Sequence, residues 1–374
     1  MLSGRVAFHQ RVGKPAGVIA SLYRMTSTRC ATGGLWLAVL MLSGCAAFER
    51  RAPDPSTSIS ETTQITLGGL PQTIRIRGDD RLNNPVLLFV HGGPGLPEMP
   101  VAHRNAELER TFTVVQWDQR GAGKSFRFDT PDMRAGRFVS DTLELSRELR
   151  RRFGGRKITI AGYSWGSLVA ARAVAREPGL FAAYIGIAQL VNIPEAEHTL
   201  YTEALAEARR RPLPKAVRDL ERVGPPPWHS PEDKKVAKRW WKSLGEPAAN
   251  KMTATHFAAV AFTSPAYSPL DFLKVPLGAK RSFASLEREI HAADLFRELP
   301  RIDVPVWFIM GRHDSVVSDV VLARYFHRLQ APAGKRLVWF EKSDHAPHLE
   351  EPGKFQAVMQ EVRAALPYPG ITDQ

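Results

Sequence analysis

The sequence is poor in cysteine, and both of its two cysteines, Cys30 and Cys45, lie near the N-terminus. The remaining chain therefore offers no disulfide framework and no cysteine-based zinc site. A long apolar run is also missing: residues 33–42 form an apolar stretch of ten residues, whereas a membrane-spanning helix needs about 20. With 44% hydrophobic and 24% charged residues among 374, the composition is globular and excludes collagen-like and wholly disordered chains. This length predicts one large domain with an insertion, or two domains.

Acidic residues are absent from residues 1–44, which hold five of the basic residues. The formal net charge of +13 for the whole chain therefore leaves +8 for the rest. That surplus is ordinary for a basic surface, and we expect no nucleic-acid partner. Basic residues at 209–211, 234–235 and 238–239, beside Trp240 and Trp241, could form a surface for nucleic acid or anionic lipid. We interpret them instead as a solvated helix face.

The N-terminal segment has the features of an export signal. The apolar run at 33–42 follows Arg24 and Arg29 and has the length of a signal-peptide core. The sequence Leu42-Ser43-Gly44-Cys45 resembles the lipobox of bacterial lipoproteins. We therefore expect residues 1–44 to be a signal peptide and Cys45 to be lipidated. A plain secretory signal or a retained anchor is the alternative.

Two further expectations follow from this lipobox. A signal of 44 residues is longer than the usual 15 to 30, so Met25 is the expected true start of the protein. Residues 45–60, rich in proline and serine, are expected to form a tether after the lipidated cysteine. Alanine rather than aspartate follows Cys45, and by resemblance this favours the periplasmic face of the outer membrane in a bacterial cell envelope.

The order of apolar patterns predicts an α/β fold. Alternating residues at 64–67 and 73–76, separated by Gly68 and Gly69, predict an antiparallel hairpin. Continuous apolar runs, typical of strands buried on both faces of a parallel sheet, occur at 85–90, 113–117, 157–161, 183–187, 304–310 and 336–340. Helical patterns lie between them at 140–153, 166–176 and 319–329. Alternation of strands and helices indicates a mostly parallel sheet flanked by helices.

One connection in this pattern is far too long for a loop. More than 100 residues separate the runs at 183–187 and 304–310, whereas ordinary connections take 2 to 6 residues. The segment has helical patterns broken by prolines at 225–227, 247 and 265. We therefore expect a core formed by residues 61–190 and 301–366, an inserted helical cap at 191–300, and a C-terminal tail at 367–374.

The segment Gly162-Tyr163-Ser164-Trp165-Gly166 predicts a catalytic nucleophile. It fits the pattern G-x-S-x-G and lies between a predicted strand and a predicted helix, which is the context that this motif needs. A serine on so sharp a turn requires neighbours without a Cβ atom, and the helix N-terminus favours negative charge. Ser164 is therefore the candidate nucleophile.

A base and an orienting acid are expected later in the chain, in the order serine, aspartate, histidine. Asp314 and His345 each follow a predicted strand within a few residues, where active-site loops form. His313 and His348 are the rival bases, and Asp319 and Asp344 the rival acids. We assign the base to His345 and the acid to Asp314.

The loop His91-Gly92-Gly93-Pro94-Gly95 also follows a predicted strand. It lies where such folds supply one amide of an oxyanion hole, and the residue after the serine supplies the other. Gly93 and Trp165 are the expected donors, and each amide so placed stabilises the tetrahedral intermediate by about 3 kcal/mol.

Five motifs together resemble the proline iminopeptidase (prolyl aminopeptidase) branch of the α/β-hydrolase superfamily. They are the serine motif, the loop at 91–95, Trp117-Asp-Gln-Arg-Gly-Ala-Gly-Lys-Ser125, Gly311-Arg-His-Asp314 and Ser343-Asp-His345. The resemblance covers residues 62–366, strongly in the core and only by position in the cap. It implies a Ser-Asp-His triad, oxyanion donors in the G-G-P-G loop, a cap over the substrate pocket and no metal or organic cofactor.

These observations predict a serine hydrolase that acts through an acyl-enzyme on a small peptide or acyl substrate. A proline iminopeptidase is the first choice, an esterase or lactonase is the alternative, and a non-catalytic binding lipoprotein is a third reading. An aminopeptidase needs a carboxylate for the substrate's ammonium group. Glu195 is the candidate, with Glu197 and Glu203 as alternatives, although an acid at this position is also expected from the helix dipole alone. The oligomeric state is left open.

Overall fold

The computed structural model describes residues 54–228 and 230–366. The expected signal peptide, the Met25 start, Cys45, most of the tether and the C-terminal tail at 367–374 lie outside these residues. The first strand begins at Ile59, two residues before the expected start of the core.

An eight-stranded sheet, counted over the described residues, organises the core. Its strands are β1 Ile59–Leu67, β2 Leu70–Gly78, β3 Val86–Val90, β4 Thr113–Trp117, β5 Ile158–Tyr163, β6 Phe181–Ile187, β7 Val306–Gly311 and β8 Lys335–Phe340. They lie in the order β1-β2-β4-β3-β5-β6-β7-β8. The predicted hairpin is β1 with β2, and β2 is also antiparallel to β4, whereas the other pairs are parallel. The predicted strands are confirmed.

The helices of this part of the chain flank the sheet or form the insertion. They are α1 Ala135–Arg152, α2 Trp165–Arg176, α3 Ile193–Arg210, α4 Pro214–Val223, α5 Pro231–Leu244, α6 Ala254–Phe262, α7 Pro269–Ala292, α8 Leu295–Glu298, α9 Asp319–Arg328, α10 Pro347–Glu350 and α11 Pro352–Ala364. Short 3₁₀ segments lie at Ala102–Arg110, Gly123–Ser125 and Pro178–Leu180.

The central strands are buried on both faces because helices cover both. On β3, Leu88 and Val90 join one apolar cluster with residues of α1 and α2, whereas Leu87 and Phe89 join a second cluster with α11. Successive side chains of a strand point to opposite faces. A strand covered on both sides therefore carries apolar residues without interruption, as the sequence showed.

The insertion between β6 and β7 is helical, and prolines separate its helices. Pro225–Pro227 lie between α4 and α5, Pro247 between α5 and α6, and Pro265 between α6 and α7. Side chains of Asn192, Ser230, Thr253 and Ser268 cap the starts of α3, α5, α6 and α7. Each cap satisfies a backbone N–H that the first helical turn leaves without a partner.

This cap has an apolar core of its own and is also fastened to the sheet domain. Tyr201, Leu220 and Trp241 belong to one buried cluster of α3, α4 and α5. Helix α7 instead returns to the main core, where Leu286 and Ile290 are buried. Within residues 54–228 and 230–366, no helix combines the length and apolar character needed to cross a membrane.

Candidate active site

Ser164 lies on a strained turn between β5 and α2. Its backbone has φ 51° and ψ −117°, a conformation that non-glycine residues rarely adopt and that is typical of functional sites. The flanking glycines allow close packing there. A Cβ at Gly166 would lie 2.0 Å from the carbonyl oxygen of Val90, and a Cβ at Gly162 would lie 2.4 Å from that of Gly166. Both glycines are therefore required by neighbouring backbone, as the motif predicts.

The structure brings Ser164 together with His345 and Asp314. Nε2 of His345 lies 3.0 Å from Oγ of Ser164, and its Nδ1 lies 2.9 Å from Oδ2 of Asp314. The other oxygen of Asp314 accepts the backbone N–H groups of Val316 and Val317 at 2.8 and 2.9 Å. Since a carboxylate only accepts hydrogen bonds, the proton of neutral His345 lies on Nδ1 and Nε2 is free to accept from the serine.

The environment of His345 favours its protonated form. Burial of the ring lowers the pKa, but the charge of Asp314 and the hydrogen bond to it outweigh burial, and the pKa of His345 is raised above its ordinary value. Asp344 and Glu350 add to this increase. The arrangement therefore stabilises an imidazolium, the species that forms when the histidine removes the serine proton.

The rival bases and acids lie elsewhere. His348 is buried, and its Nε2 donates to Glu98 at 2.9 Å, while His313 contacts the carbonyl oxygen of Glu341. Asp344 accepts from Ser315 and pairs with Lys251, and Asp319 begins α9.

The loop after β3 lies beside the nucleophile. Gly93 has φ 113°, and its N–H has no acceptor among the described residues. The Trp165 N–H opens α2, where the first helical amides have no partner within the helix. Gly93 lines the same cavity as Ser164, and Trp165 follows Ser164 directly at the start of α2.

Gln119 joins these two donor segments. Its side-chain amide donates to the carbonyl oxygen of His91 at 2.8 Å and accepts from the indole N–H of Trp165 at 3.2 Å. Burial lowers the pKa of His91 to about 4, so the ring is neutral, and its Nε2 accepts the Gln119 backbone N–H at 3.2 Å. His91 therefore holds the loop in place.

The rest of the segment at 118–125 fastens the cap. The Tyr267 hydroxyl donates to Asp118, and Lys124 Nζ lies 2.8 Å from Asp271 at the start of α7. Burial raises the pKa of Asp118 to about 7, although hydrogen bonds from Tyr267 and Lys124 oppose the increase. One loop thus contacts the oxyanion segments and the cap.

Ser164 and His345 open into a cavity of about 610 Å³ between core and cap. This is within the range of small-ligand sites. Apolar side chains such as Leu96, Trp241 and Phe283 line much of it. Its titratable side chains, apart from that of Tyr163, are those of Glu98, Glu197, Lys234, Lys238, Lys242, Glu287, His291, Asp344, His345 and Glu350.

Glu195 does not line this cavity, so the structure does not support it as a substrate ligand. It lies at the N-terminus of α3, where its N–H donates to Asn192 at 3.0 Å and its carboxylate pairs with Arg324. This is the position that helix capping and the helix dipole favour. Of the two alternatives, Glu203 is also outside the lining, whereas Glu197 is part of it and pairs with Lys234 at 2.9 Å.

Sequence reasoning did not assign Glu98, Lys238 or Lys242 to the active site, although all three line the cavity. Glu98 follows the G-G-P-G loop closely in sequence. This proximity to a predicted oxyanion donor could have indicated Glu98 as a site residue. Nothing in the sequence indicates that the lysines of α5 face this cavity rather than bulk water.

Comparison with known proteins places these observations in a family. Residues 85–352 match the model of the alpha/beta hydrolase fold. A probable aminopeptidase, YbaC, of Bacillus subtilis is 34% identical over 308 residues, which cover 80% of this chain and 94% of YbaC. A proline iminopeptidase of Saccharolobus solfataricus is 25% identical over 77% of this chain and 86% of its own length.

A solved structure agrees in fold. The crystal structure of a proline iminopeptidase-related protein from Thermus thermophilus matches with a TM-score of 0.59 and 21% identity, covering 82% of this chain and 98% of that one. The family model covers most of the chain, and the mostly parallel sheet, the helical insertion and the sharp turn at Ser164 agree with the sequence predictions. The protein therefore belongs to the α/β-hydrolase family and, as the sequence motifs indicated, is similar to its aminopeptidase and proline iminopeptidase members.

Proposed function

We propose that the protein is a serine aminopeptidase that releases an N-terminal residue, proline first of all, from short peptides. The hydrogen-bonded chain of Ser164, His345 and Asp314 at the cavity carries this proposal. The similarity to named aminopeptidases and proline iminopeptidases supports the peptide substrate.

The reaction proceeds in two steps. Oγ of Ser164 attacks the carbonyl carbon, and Nε2 of His345 takes the hydroxyl proton while Asp314 holds the ring through Nδ1. The N–H groups of Gly93 and Trp165 stabilise the oxyanion. His345 then gives the proton to the leaving nitrogen, and the remaining acyl-enzyme is hydrolysed by water with the same histidine as base.

Glu98 is the carboxylate best placed for the substrate's ammonium group. It is buried, lies on the loop that holds Gly93, and accepts from His348 through one oxygen only. No hydrogen bond or ion pair joins its other oxygen to another of the described residues. Both oxygens of Glu350, by contrast, already accept backbone N–H groups. We assign to Glu98 the role expected of Glu195, because an ammonium group in such a site requires an anionic partner.

Ser164→Ala is expected to abolish hydrolysis and leave the fold intact, because the close packing of the turn depends on Gly162 and Gly166. The expected loss in kcat is on the order of 10⁴ or more. Turnover of a prolyl anilide and of an acetate ester, with thermal melting as the folding control, measures it. Retained turnover would refute the assignment of Ser164 as the nucleophile.

Turnover of the same two substrates by the wild-type protein distinguishes an aminopeptidase from an esterase. Prolyl anilide hydrolysis is expected to exceed ester hydrolysis. Ester turnover without prolyl anilide turnover would identify an esterase instead. Failure of a fluorophosphonate to label Ser164 would support the non-catalytic reading.

The pH profile is expected to report His345. Activity needs the neutral ring, so kcat/KM should rise with pH as His345 loses its proton. The midpoint should lie above the ordinary histidine value of about 6.5, because the pKa is raised mainly by Asp314 against the effect of burial. A neutral ester is the substrate, since its own groups do not titrate there. A midpoint below the ordinary value would contradict this electrostatic account.

Glu98→Gln should reduce kcat/KM for a prolyl anilide by about 10- to 100-fold, since a hydrogen bond to a charged group contributes about 1.5–3 kcal/mol. Hydrolysis of an uncharged acetate ester should change by less than about threefold, because glutamine can still accept from His348. Glu195→Gln is the matched control and should alter neither substrate. Equal losses on both substrates in Glu98→Gln would show that Glu98 supports the site without binding the ammonium group.

We also propose that the protein is a lipoprotein of the bacterial envelope, on the basis of the lipobox at Cys45. Cys45→Ser should move the protein from the membrane to the soluble fraction and leave the activity of the solubilised protein unchanged, since the site is built from residues beyond 90. Fractionation and mass spectrometry of the mature N-terminus measure this. Absence of an acyl mass increment on Cys45 would reject the anchor.

A further inference from the structure

Helix α5 presents a row of lysines to the active-site cavity. Lys234, Lys238 and Lys242 recur every four residues along the helix, and this spacing places them on one face. All three line the same cavity as Ser164 and His345. The triad reaction does not need a cation there, so the row requires another explanation.

The first lysine of the row has partners, and the other two have none. Nζ of Lys234 lies 2.9 Å from Glu197 and 2.9 Å from Nε2 of His291. For Lys238 and Lys242, no hydrogen bond or ion pair joins either ammonium group to another of the described residues. Burial, followed by the charge of Lys234, lowers the pKa of Lys238, while the nearby carboxylates of Glu197 and Glu287 oppose that change. Both side chains are exposed, so their ammonium groups are available to an anion that enters the cavity.

A hydrogen bond connects the part of α5 that carries these lysines to the loop of the triad acid. Trp241 lies between them in sequence and also lines the cavity, and its indole N–H donates to the carbonyl oxygen of Ser315 at 3.2 Å. Ser315 follows Asp314 directly. The C-terminal half of α5 is therefore fixed to the loop that carries the triad acid, and Lys238 and Lys242 lie within about one helical turn of that contact.

We propose that Lys238 and Lys242 bind the C-terminal carboxylate of the substrate, which makes short peptides with a free C-terminus the preferred substrate class. This inference rests on the proposed aminopeptidase function. An ammonium group near Glu98 and a carboxylate at the lysines give the cavity the charge arrangement of a short zwitterionic peptide. A cavity of about 610 Å³ accommodates only a few residues, which extend by about 3.3–3.6 Å each.

The test uses the full-length protein and compares three peptides that differ in whether they carry a carboxylate and where it lies. The substrates are prolyl-alanyl-alanine, its C-terminal amide, and the amide of prolyl-alanyl-glutamate. The variants are Lys238→Met, Lys242→Met and the double variant, because methionine keeps an apolar chain and removes the charge. Lys235→Met is the matched control, since Lys235 is exposed on the same helix and does not line the cavity.

Wild type should prefer the free acid over its amide by about 3- to 10-fold in kcat/KM, with the preference decreasing as salt is added. The double variant should show a ratio near 1, each single variant an intermediate ratio, and Lys235→Met the wild-type ratio. The single variants keep the test informative if the double variant does not fold.

Three results would overturn the inference: an acid-to-amide ratio near 1 in wild type, a ratio that the lysine substitutions do not change, or a preference that follows the glutamate side chain rather than the C-terminus. Failure of the proposed function is distinguishable, because wild type would then hydrolyse neither the peptides nor a prolyl anilide.

Discussion

The site depends on how closely the start of α2 approaches the end of β3. Because Gly166 has no side chain, its Cα packs against the carbonyl groups of Val90 and His91. This contact sets the loop that holds Gly93 beside Ser164, and it leaves the strained backbone angles at the serine itself. A larger residue at this position would push the start of α2 away from the end of β3. This close packing therefore also serves the proposed reaction. The start of α2 and the loop of Gly93 must both lie near the carbonyl oxygen of the substrate.

Two buried carboxylates near this turn are each held by hydrogen bonds to one of their oxygens. Asp314 uses one oxygen for two backbone N–H groups and the other for His345. Glu98 uses one oxygen for His348. Each carboxylate is thus held in place by one set of contacts, which offsets the cost of burial, and has a second oxygen for its task. His348, weighed as a rival base from the sequence, instead positions Glu98.

Much of the core and the relative placement of the triad residues could be predicted from the sequence, because both depend on local signals. Strands covered on two faces carry unbroken apolar runs, as in β3 and β7, and parallel strands bring the loops after them to one edge of the sheet. Ser164 and Asp314 each follow such a strand, and His345 follows the partly buried edge strand β8. The cap could be predicted only as a helical insertion, since its helices approach the site from far along the chain.

Residues of the cap show why local signals fail there. An acidic residue at the start of a helix has the same sequence context whether it binds a ligand or stabilises the helix dipole, and Glu195 does the latter while pairing with Arg324. A lysine row on an amphipathic helix likewise looks the same whether it faces bulk water or a wide cavity. On α5 only the tertiary structure distinguishes the two cases: Trp241 donates to Ser315, and Lys238 and Lys242 line the cavity of Ser164. The core thus positions the triad residues, and the tertiary contacts of the cap determine which of its side chains face the cavity above them.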